Sequence, residues 1–365
     1  MKIGLACGGT GGHIFPGLAT ADVLRKRGHE VCLWLAGKDV EEAAISGWKG
    51  EVVTVPAEGF PSKPSFRSLV TATRLLRAAR TCSRKMRSNR PDALLAMGSY
   101  ASAGPVSAAL RLHVPVVLHE ANVLPGRAVS LFSRWATAMA ASFEETRYYT
   151  RRKNLVITGM PMRSGLDPSV RGDALEGLDR NVFTVLVMGG SRGAHRLNEI
   201  ASEVMCRLKG EGRRLQVIHL AGVGAEQEVK ALYDQAGVPS VVYCFTHDMG
   251  PIYHASDIAV CRSGASTCAE LLAYGVPALL VPYPFAAHDH QTANARALER
   301  ADACDVVPER DLSVEWLSEY LMNCLDEPGR LARMSAAAKK RAMPNGAEAL
   351  ADLVEQVGSG LPDAG

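Results

Sequence analysis

Two glycine-rich turns of this 365-residue chain have the composition of phosphate-binding loops. The first spans Cys7–His13 (CGGTGGH) and the second spans Met188–Ala194 (MGGSRGA); each joins a strand-like apolar run to a helix-like segment. Glycine permits positive φ angles and close backbone approach, and a helix N-terminus presents unpaired N–H groups with partial positive charge. A single such turn is as often a tight corner as a binding site. Two of them, opening two successive α/β domains, favour phosphate binding in both.

Several other phosphate and metal motifs are absent from the sequence. Neither turn completes the dinucleotide pattern Gly-x-Gly-x-x-Gly, because Ile14 and Arg192 stand where its glycines would fall. There is no P-loop, no His-Glu-x-x-His and no Asp-x-Asp pair. The negative charge on a leaving phosphate must then be stabilised by backbone amides, helix dipoles and Arg or His side chains. We expect no metal site and no cofactor, and nicotinamide-dependent oxidoreduction is the weaker alternative.

A third candidate site lies at a helix start in the second half of the chain. Arg262–Glu270 (RSGASTCAE) follows a strand-like run, and its hydroxyl side chains can cap the helix or bind phosphate oxygens. Glu270 lies about one turn further on, where a carboxylate can accept from the two hydroxyls of a ribose; a solvated glutamate is the structural alternative. The polar cluster His288–Asn294 follows the next strand. Its two histidines could bind a metal, but hydrogen bonding of Gln291 to sugar hydroxyls is the favoured interpretation.

The segments that position these residues alternate between short apolar runs and longer amphipathic stretches. Ten runs are predicted as strands: Lys2–Cys7, Glu30–Ala36, Glu51–Pro56, Asp92–Met97, Val114–His119, Val182–Met188, Leu215–Ala221, Val241–Phe245, Asp257–Cys261 and Pro277–Val281. Apolar strands that alternate with helices predict parallel sheets covered on both faces. Because the series restarts after Pro161, we predict two doubly wound, Rossmann-like α/β domains, 1–162 and 163–345, with a cleft between them. A last helix at about 346–358 is expected to pack back onto the first domain.

Composition excludes several classes of protein. The chain is 47% hydrophobic and 22% charged, which is ordinary for a globular protein and excludes a disordered one. No apolar run approaches the roughly 18 residues of a membrane span, so the sequence predicts a soluble or peripheral protein. Nine cysteines without a Cys-x-x-Cys spacing point to a reducing compartment, the cytoplasm.

Charge is distributed unevenly along the chain. Residues 1–162 contain 22 Lys and Arg against 11 Asp and Glu, whereas residues 163–365 contain 19 against 27. The segment Phe66–Arg90 has eight basic residues and no acidic one, although a solvated helix normally mixes both signs. A basic amphipathic helix suits an anionic lipid surface. We predict peripheral docking on the cytoplasmic face of the cell membrane through Arg74, Leu75, Arg77, Arg80 and Arg84.

Together these motifs closely resemble those of the MurG-type N-acetylglucosaminyltransferases of peptidoglycan synthesis, which are two-Rossmann-domain (GT-B) glycosyltransferases. The resemblance covers nearly the whole chain and rests on Gly8–Gly17, Met97–Tyr100, His119–Asn122, Gly159–Arg163, Gly189–Gly193, Arg262–Glu270 and His290–Asn294. It implies transfer of GlcNAc from UDP-GlcNAc to the MurNAc 4-hydroxyl of undecaprenyl-diphospho-MurNAc-pentapeptide (lipid I to lipid II), with inversion and without a required metal. The implied partners are these two substrates and the membrane surface. Nucleic acid is not expected as a partner.

The resemblance also assigns roles to individual residues. The positions that match donor contacts are Thr10, Gly11, Gly12, Asn122, Arg163, Ser191, Thr246, Ala265, Ser266, Thr267, Cys268, Ala269, Glu270 and Gln291. Among them, Glu270 matches the ribose contact, Gln291 the sugar contact and Thr246 the backbone contact to uracil. Arg192 and Ala121 depart from the family's pattern, since each stands where glutamine is common.

His13 is the candidate catalytic residue of the first glycine turn. An imidazole, whose ordinary pKa is about 6.5, can take the proton of the acceptor hydroxyl or stabilise the departing diphosphate. Glu120 is the alternative base, and a helix cap is the structural alternative for His13. A protein that binds a nucleotide at the membrane without turnover would need neither residue for catalysis.

Overall fold

The computed structural model describes residues 1–55, 66–151, 154–163, 165–170, 175–189 and 194–360, without the side chains of residues 40 and 66–76. The chain forms two compact units. Unit 1 comprises Met1–Ser164 and Met343–Gly365, and unit 2 comprises Gly165–Ala342. The boundaries predicted from the sequence, 162/163 and 345/346, lie within three residues of these divisions.

Strands and helices alternate through the described residues. The strands are β1 (Lys2–Ala6), β2 (Glu30–Leu35), β3 (Val52–Thr54), β4 (Ala93–Ala96), β5 (Val116–Glu120), β6 (Ala138–Ala141), β7 (Leu155–Ile157), β8 (Phe183–Met188), β9 (Leu215–Leu220), β10 (Ser240–Tyr243), β11 (Ile258–Cys261), β12 (Ala278–Leu280) and β13 (Cys304–Val306). The helices are α1 (Gly11–Lys26), α2 (Asp39–Ala44), α3 (Phe66–Ser88), α4 (Ala103–Arg111), α5 (Arg127–Phe132), α6 (His195–Gly210), α7 (Glu226–Ala236), α8 (Gly250–Ala255), α9 (Ala265–Tyr274), α10 (His290–Glu299), α11 (Val314–Asp326), α12 (Pro328–Arg341) and α13 (Gly346–Gly358).

Unit 1 is built on a parallel sheet with the strand order β3-β2-β1-β4-β5-β6-β7. The central strands are apolar along their whole length because helices cover both of their faces. On one face, α1 and α13 bury Leu24 and Val354 against the sheet. On the other face, α3, α4 and α5 bury Met86, Val106 and Phe132. This sheet fixes the positions of the first glycine turn and of the residues that follow β4 and β5.

The last helix, α13, completes the core of unit 1 although it follows the whole of unit 2 in the chain. It packs on α1, β4 and β5. Arg27, just after α1, pairs with Asp352 at 2.6 Å and with Glu355 at 2.8 Å, and His29 lies 2.6 Å from Glu355. At its start a Cβ on Gly346 would lie only 2.6 Å from the Met160 carbonyl oxygen, so glycine is required there.

Unit 2 repeats the architecture with the strand order β10-β9-β8-β11-β12-β13, again all parallel. Helices α6, α7, α11 and α12 pack on one face, with Leu197, Tyr233 and Leu317 fully buried. Helix α8 packs on β8 and α9, and α10 packs on β13. The carboxyl ends of β8, β11 and β12 therefore lie side by side, which places the starts of α6, α9 and α10 along one edge.

The predicted fold class is confirmed. Each of the ten predicted strands is present, with ends within two residues of the prediction, and β6, β7 and β13 are additional. All nine cysteines are free thiols. No helix within the described ranges combines the length and apolar character needed to cross a bilayer.

Candidate active site

The sequence motifs that follow β1, β4 and β5 lie at the carboxyl edge of the sheet of unit 1. Strands β1, β4 and β5 are parallel neighbours, so the segments that follow them, Gly8–Gly12, Gly98–Ser99 and Ala121–Asn122, lie next to one another. A Cβ placed on Gly9 would be 3.3 Å from the Cβ of Ser99, which shows how closely the first two segments approach. Three of the sequence motifs thus share one surface of this unit.

The first glycine turn ends at the N-terminus of α1. Gly9 has a φ of +128°, a conformation that favours glycine, and Thr10 is the extended N-cap residue. His13 is half-buried in the first helical turn, and its Nδ1 lies 3.0 Å from Thr10 Oγ1. The N–H groups of His13 and Ile14 donate to the Thr10 carbonyl. The earlier N–H groups of the first turn are those that a helix leaves for capping groups or ligands.

Glu41, which the sequence analysis missed, occupies the inner side of this turn. It is only 1% exposed. Its Oε1 accepts from the Gly9 N–H at 2.5 Å, and its Oε2 accepts from the N–H groups of Gly37 at 2.7 Å and Lys38 at 3.1 Å. A carboxylate of the protein itself therefore engages Gly9. The available signal was Gly37 followed by an acidic residue at the next strand-to-helix turn.

His119 is buried beside this surface at the end of β5. Burial lowers the pKa of His119 to about 4, and the neighbouring His13 adds to the effect, so the His119 imidazole is neutral near pH 7. Its Nε2 lies 3.3 Å from Ser142 Oγ and 3.4 Å from the Gly159 carbonyl oxygen. The neutral His119 side chain thus links the end of β5 to Ser142 and Gly159.

Glu120, the alternative base, is 4% exposed. Burial raises the pKa of Glu120 to about 7, although its oxygens accept from the N–H groups of Asn122 at 2.9 Å and Gly126 at 2.7 Å. A carboxyl group with this pKa can exchange a proton near neutral pH. Asn122, a predicted donor contact, is half-buried with its N–H on this carboxylate, and Arg163, another, is half-exposed.

The start of α9 forms the corresponding surface of unit 2. Gly264 is the N-cap residue, and Ser266, Thr267 and Ala269 are half-buried. Ala265 is 9% exposed and Cys268 is fully buried. Burial raises the pKa of the Cys268 thiol well above its usual range, and the Cys268 N–H donates to the Gly264 carbonyl at 2.9 Å. The Cys268 side chain belongs to the core, and the first-turn N–H groups of Ala265–Thr267 are of the kind that a helix leaves for capping groups or anions.

Hydrogen bonds join α10 to the loop before α9. Ser263 Oγ donates to the Gln291 carbonyl at 2.8 Å, and Asn294 Nδ2 donates to the Ser263 carbonyl at 3.1 Å. The side-chain Oε1 of Gln291 accepts from the Tyr283 N–H at 2.9 Å. Gln291, the predicted sugar contact, is thereby held beside the start of α9.

Arg262 is buried at the same edge of the sheet, with 8% of its surface exposed. Its Nη1 donates to the carbonyls of Val281 at 3.1 Å and Pro282 at 3.3 Å, and its Nη2 pairs with Glu309. These contacts join the ends of β11 and β12. The Arg262 guanidinium thus holds the scaffold together and does not extend toward a phosphate.

Glu270 is buried in α9, with 3% of its surface exposed. Its Oε2 accepts from the hydroxyl of Tyr253 on α8 at 2.6 Å, and Tyr253 is itself 2% exposed. The alternative of a solvated glutamate is therefore wrong. A carboxylate has about four acceptor positions, and the Tyr253 hydroxyl occupies one of those of Glu270.

The remaining predicted site residues are spread over both units. Thr246 is half-buried in the loop after β10, where its Oγ1 accepts from the Asp248 N–H at 3.1 Å. Ser191 lies outside the described residues, as do the side chains of Arg74 and Leu75. The other predicted docking residues of α3, which are Arg77, Arg80 and Arg84, are exposed. In the part of the chain that the structure describes, no cluster of His, Cys, Asp and Glu could hold a metal ion.

Known families match both halves of the chain. Residues 3–141 match the N-terminal domain of glycosyltransferase family 28, and residues 184–350 match its C-terminal domain. A UDP-N-acetylglucosamine--N-acetylmuramyl-(pentapeptide) pyrophosphoryl-undecaprenol N-acetylglucosamine transferase of Solibacter usitatus is 35% identical, covering 97% of this chain and 95% of the relative. The protein of the same name from Bordetella petrii is 38% identical and covers 96% of each chain. The chain belongs to the MurG family of glycosyltransferases.

Solved structures agree with membership of the MurG family. Acinetobacter baumannii MurG is 27% identical and has a TM-score of 0.79, covering 97% of this chain and 99% of that one. A UDP-N-acetylglucosamine 2-epimerase matches with a TM-score of 0.68 at 13% identity, a likeness that concerns the fold alone. This MurG-family chain thus has two parallel α/β sheets of the GT-B glycosyltransferase type.

Proposed function

We propose that this chain transfers GlcNAc from UDP-GlcNAc to the MurNAc 4-hydroxyl of undecaprenyl-diphospho-MurNAc-pentapeptide, with inversion, in peptidoglycan synthesis. The observation that carries the proposal is the identity of 35% over 97% of this chain to a transferase whose name states that donor and that acceptor. The two sheets support it, because each places a glycine-containing helix start at its carboxyl edge, where α/β proteins bind their ligands.

The donor is assigned mainly to unit 2. The N-terminus of α9 offers N–H groups and a partial positive charge to the diphosphate, and Glu270 offers a carboxylate to the ribose. Gln291 is held next to this helix start and suits the sugar. Thr246 and Ser191 are proposed as further donor contacts of this unit.

The acceptor and the proton transfer are assigned mainly to unit 1. His13 lies on the surface formed by the first glycine turn and the ends of β4 and β5. As the base, its imidazole takes the proton from the 4-hydroxyl while that oxygen attacks the anomeric carbon and UDP departs. Thr10, Gly11, Gly12, Asn122 and Arg163 are proposed as donor contacts from this unit.

A membrane-anchored acceptor requires the enzyme to work at the membrane surface. The exposed Arg77, Arg80 and Arg84 of α3 support docking on an anionic leaflet, since basic residues near such a surface are attracted to it. We assign the protein to the cytoplasmic face of the cell membrane, as a peripheral protein that docks through α3.

Release of UDP tests the proposed reaction directly. UDP should form from UDP-GlcNAc only when the lipid-linked acceptor is added, together with one disaccharide product per UDP. A protein that binds UDP-GlcNAc but releases no UDP with that acceptor would instead be a nucleotide-binding protein without turnover.

Replacing Glu270 by alanine should raise the KM for UDP-GlcNAc with only a modest loss of kcat. A ribose contact is similar in the ground state and in the transition state, so its loss weakens binding. Losing a hydrogen bond to a charged group costs about 1.5–3 kcal/mol, or roughly 10- to 150-fold in KM. Steady-state kinetics measure the effect, with Glu228→Ala, an exposed substitution on α7, as the control. An unchanged KM would remove Glu270 from the nucleotide site.

Activity should survive treatment with EDTA. The sequence contains no Asp-x-Asp pair to hold a divalent ion on the diphosphate, so N–H groups and helix dipoles are expected to stabilise the leaving group. Initial rates with and without chelator make the measurement. Complete loss of activity that magnesium or manganese restores would reveal a metal site and overturn this expectation.

A further inference from the structure

The carboxylate of Glu41 connects two strand-to-helix turns at the carboxyl edge of unit 1. It accepts from the Gly9 N–H on one oxygen and from the Gly37 and Lys38 N–H groups on the other, at 2.5–3.1 Å. Gly9 belongs to the turn between β1 and α1, whereas the other two donors belong to the turn between β2 and α2. Because the donors are distributed over both oxygens, the two turns are held together by a single side chain.

Neighbouring atoms pack tightly around Glu41. It is 1% exposed, and a Cβ on Gly8 would lie 2.9 Å from its Oε1 and 2.8 Å from the Ala36 nitrogen. Strands β1 and β2 pair in parallel, with Ala6 opposite Trp34, so both turns leave the sheet at the same level. The glycine turn is therefore fitted around this carboxylate.

This arrangement changes the expected use of the first glycine turn. A phosphate placed inside the turn would compete with Glu41 for the Gly9 N–H and would be repelled by its charge. External anions are thus left with the N–H groups at the start of α1, beyond Gly9. The interior of the turn is occupied by an acceptor that belongs to the protein.

We propose that Glu41 is a positioning residue of the transferase, which fixes Thr10 and His13 by holding the first glycine turn against the turn before α2. The role rests on the proposed transferase function. Thr10 directly follows Gly9, whose N–H is bonded to Glu41. Thr10 Oγ1 is 3.0 Å from His13 Nδ1, so a shift of the turn moves both Thr10 and His13. A misplacement of about 1 Å can cost on the order of 100-fold in rate.

Glu41→Gln tests the proposal because it preserves the shape and removes one acceptor. The amide oxygen can accept from one turn, but the amide NH2 then faces the N–H donors of the other. We expect kcat, counted per UDP-binding site, to fall about 10- to 100-fold, while the stoichiometry of UDP binding, which is assigned mainly to unit 2, stays at the wild-type value. Glu42→Gln, an exposed substitution on the same helix, should match the wild type.

A purely structural role predicts a different result. In that case UDP stoichiometry and kcat would fall together, or kcat per UDP site would stay at the wild-type value, and either outcome overturns the proposal. Glu41→Asp keeps the charge but is one methylene shorter; if the glutamine variant does not fold, a fall in kcat per UDP site of the Asp variant decides in the same way.

Hydrogen–deuterium exchange provides a readout independent of turnover. The peptide containing residues 8–13 should exchange faster in Glu41→Gln than in the wild type, and Glu42→Gln should leave it unchanged. Unaltered exchange would contradict the proposed contact. If the wild type itself released no UDP, the proposed function would fail, whereas faster exchange in the variant would still support the positioning of this turn by Glu41.

Discussion

Replacing His13 by alanine is expected to lower kcat by about 10²- to 10⁴-fold, while UDP still binds with the wild-type Kd. General-base catalysis acts mainly in the transition state, so its loss appears in kcat and not in nucleotide affinity. His13 lies in the first turn of α1 with Nδ1 at 3.0 Å from Thr10 Oγ1, which places the imidazole where that turn meets the ends of β4 and β5. Single-turnover rates and UDP titration measure the two quantities separately.

Two variants decide how this result is interpreted. His113→Asn, at an exposed histidine of the same unit, should leave kcat unchanged. Near-normal turnover of His13→Ala would make His13 a structural residue and would direct attention to Glu120. Since the pKa of Glu120 is raised to about 7, a Glu120 base would make the rate rise with pH through 7, and Glu120→Gln would abolish that limb of the profile.

Combining Arg77→Glu, Arg80→Glu and Arg84→Glu is expected to weaken binding to anionic vesicles on the order of 100-fold or more. Each basic residue near an anionic surface contributes about 1 kcal/mol, and each reversal also adds repulsion. All three side chains are exposed on α3, whose Cys82 and Met86 face the core. Vesicle sedimentation at several salt concentrations measures the binding, which should weaken as salt increases.

The matched control reverses three exposed basic residues of unit 2, which are Arg300, Arg333 and Lys340. It should bind vesicles like the wild type, because the proposed docking surface lies on α3. Turnover of a short acceptor analogue without the lipid should stay nearly unchanged in the α3 variant. Equally strong binding to neutral vesicles, or unchanged binding of the α3 variant, would show that α3 is not the docking surface.

The sequence was sufficient for the strands whose residues are mostly large and apolar. Val, Ile and Leu dominate β5 and β9, and such runs between helical segments favour buried parallel strands. The strand Ala138–Ala141 was missed because its alanines favour helices and carry no β-branched signal. Leu155–Ile157 and Cys304–Val306 are three-residue strands at the sheet edges, too short to show a period.

The candidate site was predictable where its residues are close in sequence. The glycine turn and His13 form one continuous motif, and so do Ser263 and the start of α9. Glu41 was not predictable, because it is 32 residues from Gly9 and meets it only through the pairing of β1 with β2. The burial of Glu270 likewise depends on Tyr253, which the packing of α8 on α9 brings to it.

The place of α13 in the chain has a consequence for how the protein is made. A nascent chain emerges from the ribosome with residues 1–164 first, yet the apolar face that Leu350 and Val354 cover belongs to the same core as β1 and β4. About 180 residues of unit 2 must be translated in between, which takes roughly 10–35 s at ordinary elongation rates. Over that interval the part of unit 1 that α13 later covers, beside α1 and over β4 and β5, is an open apolar surface. It is therefore a natural client surface for chaperones that meet the chain at the ribosome.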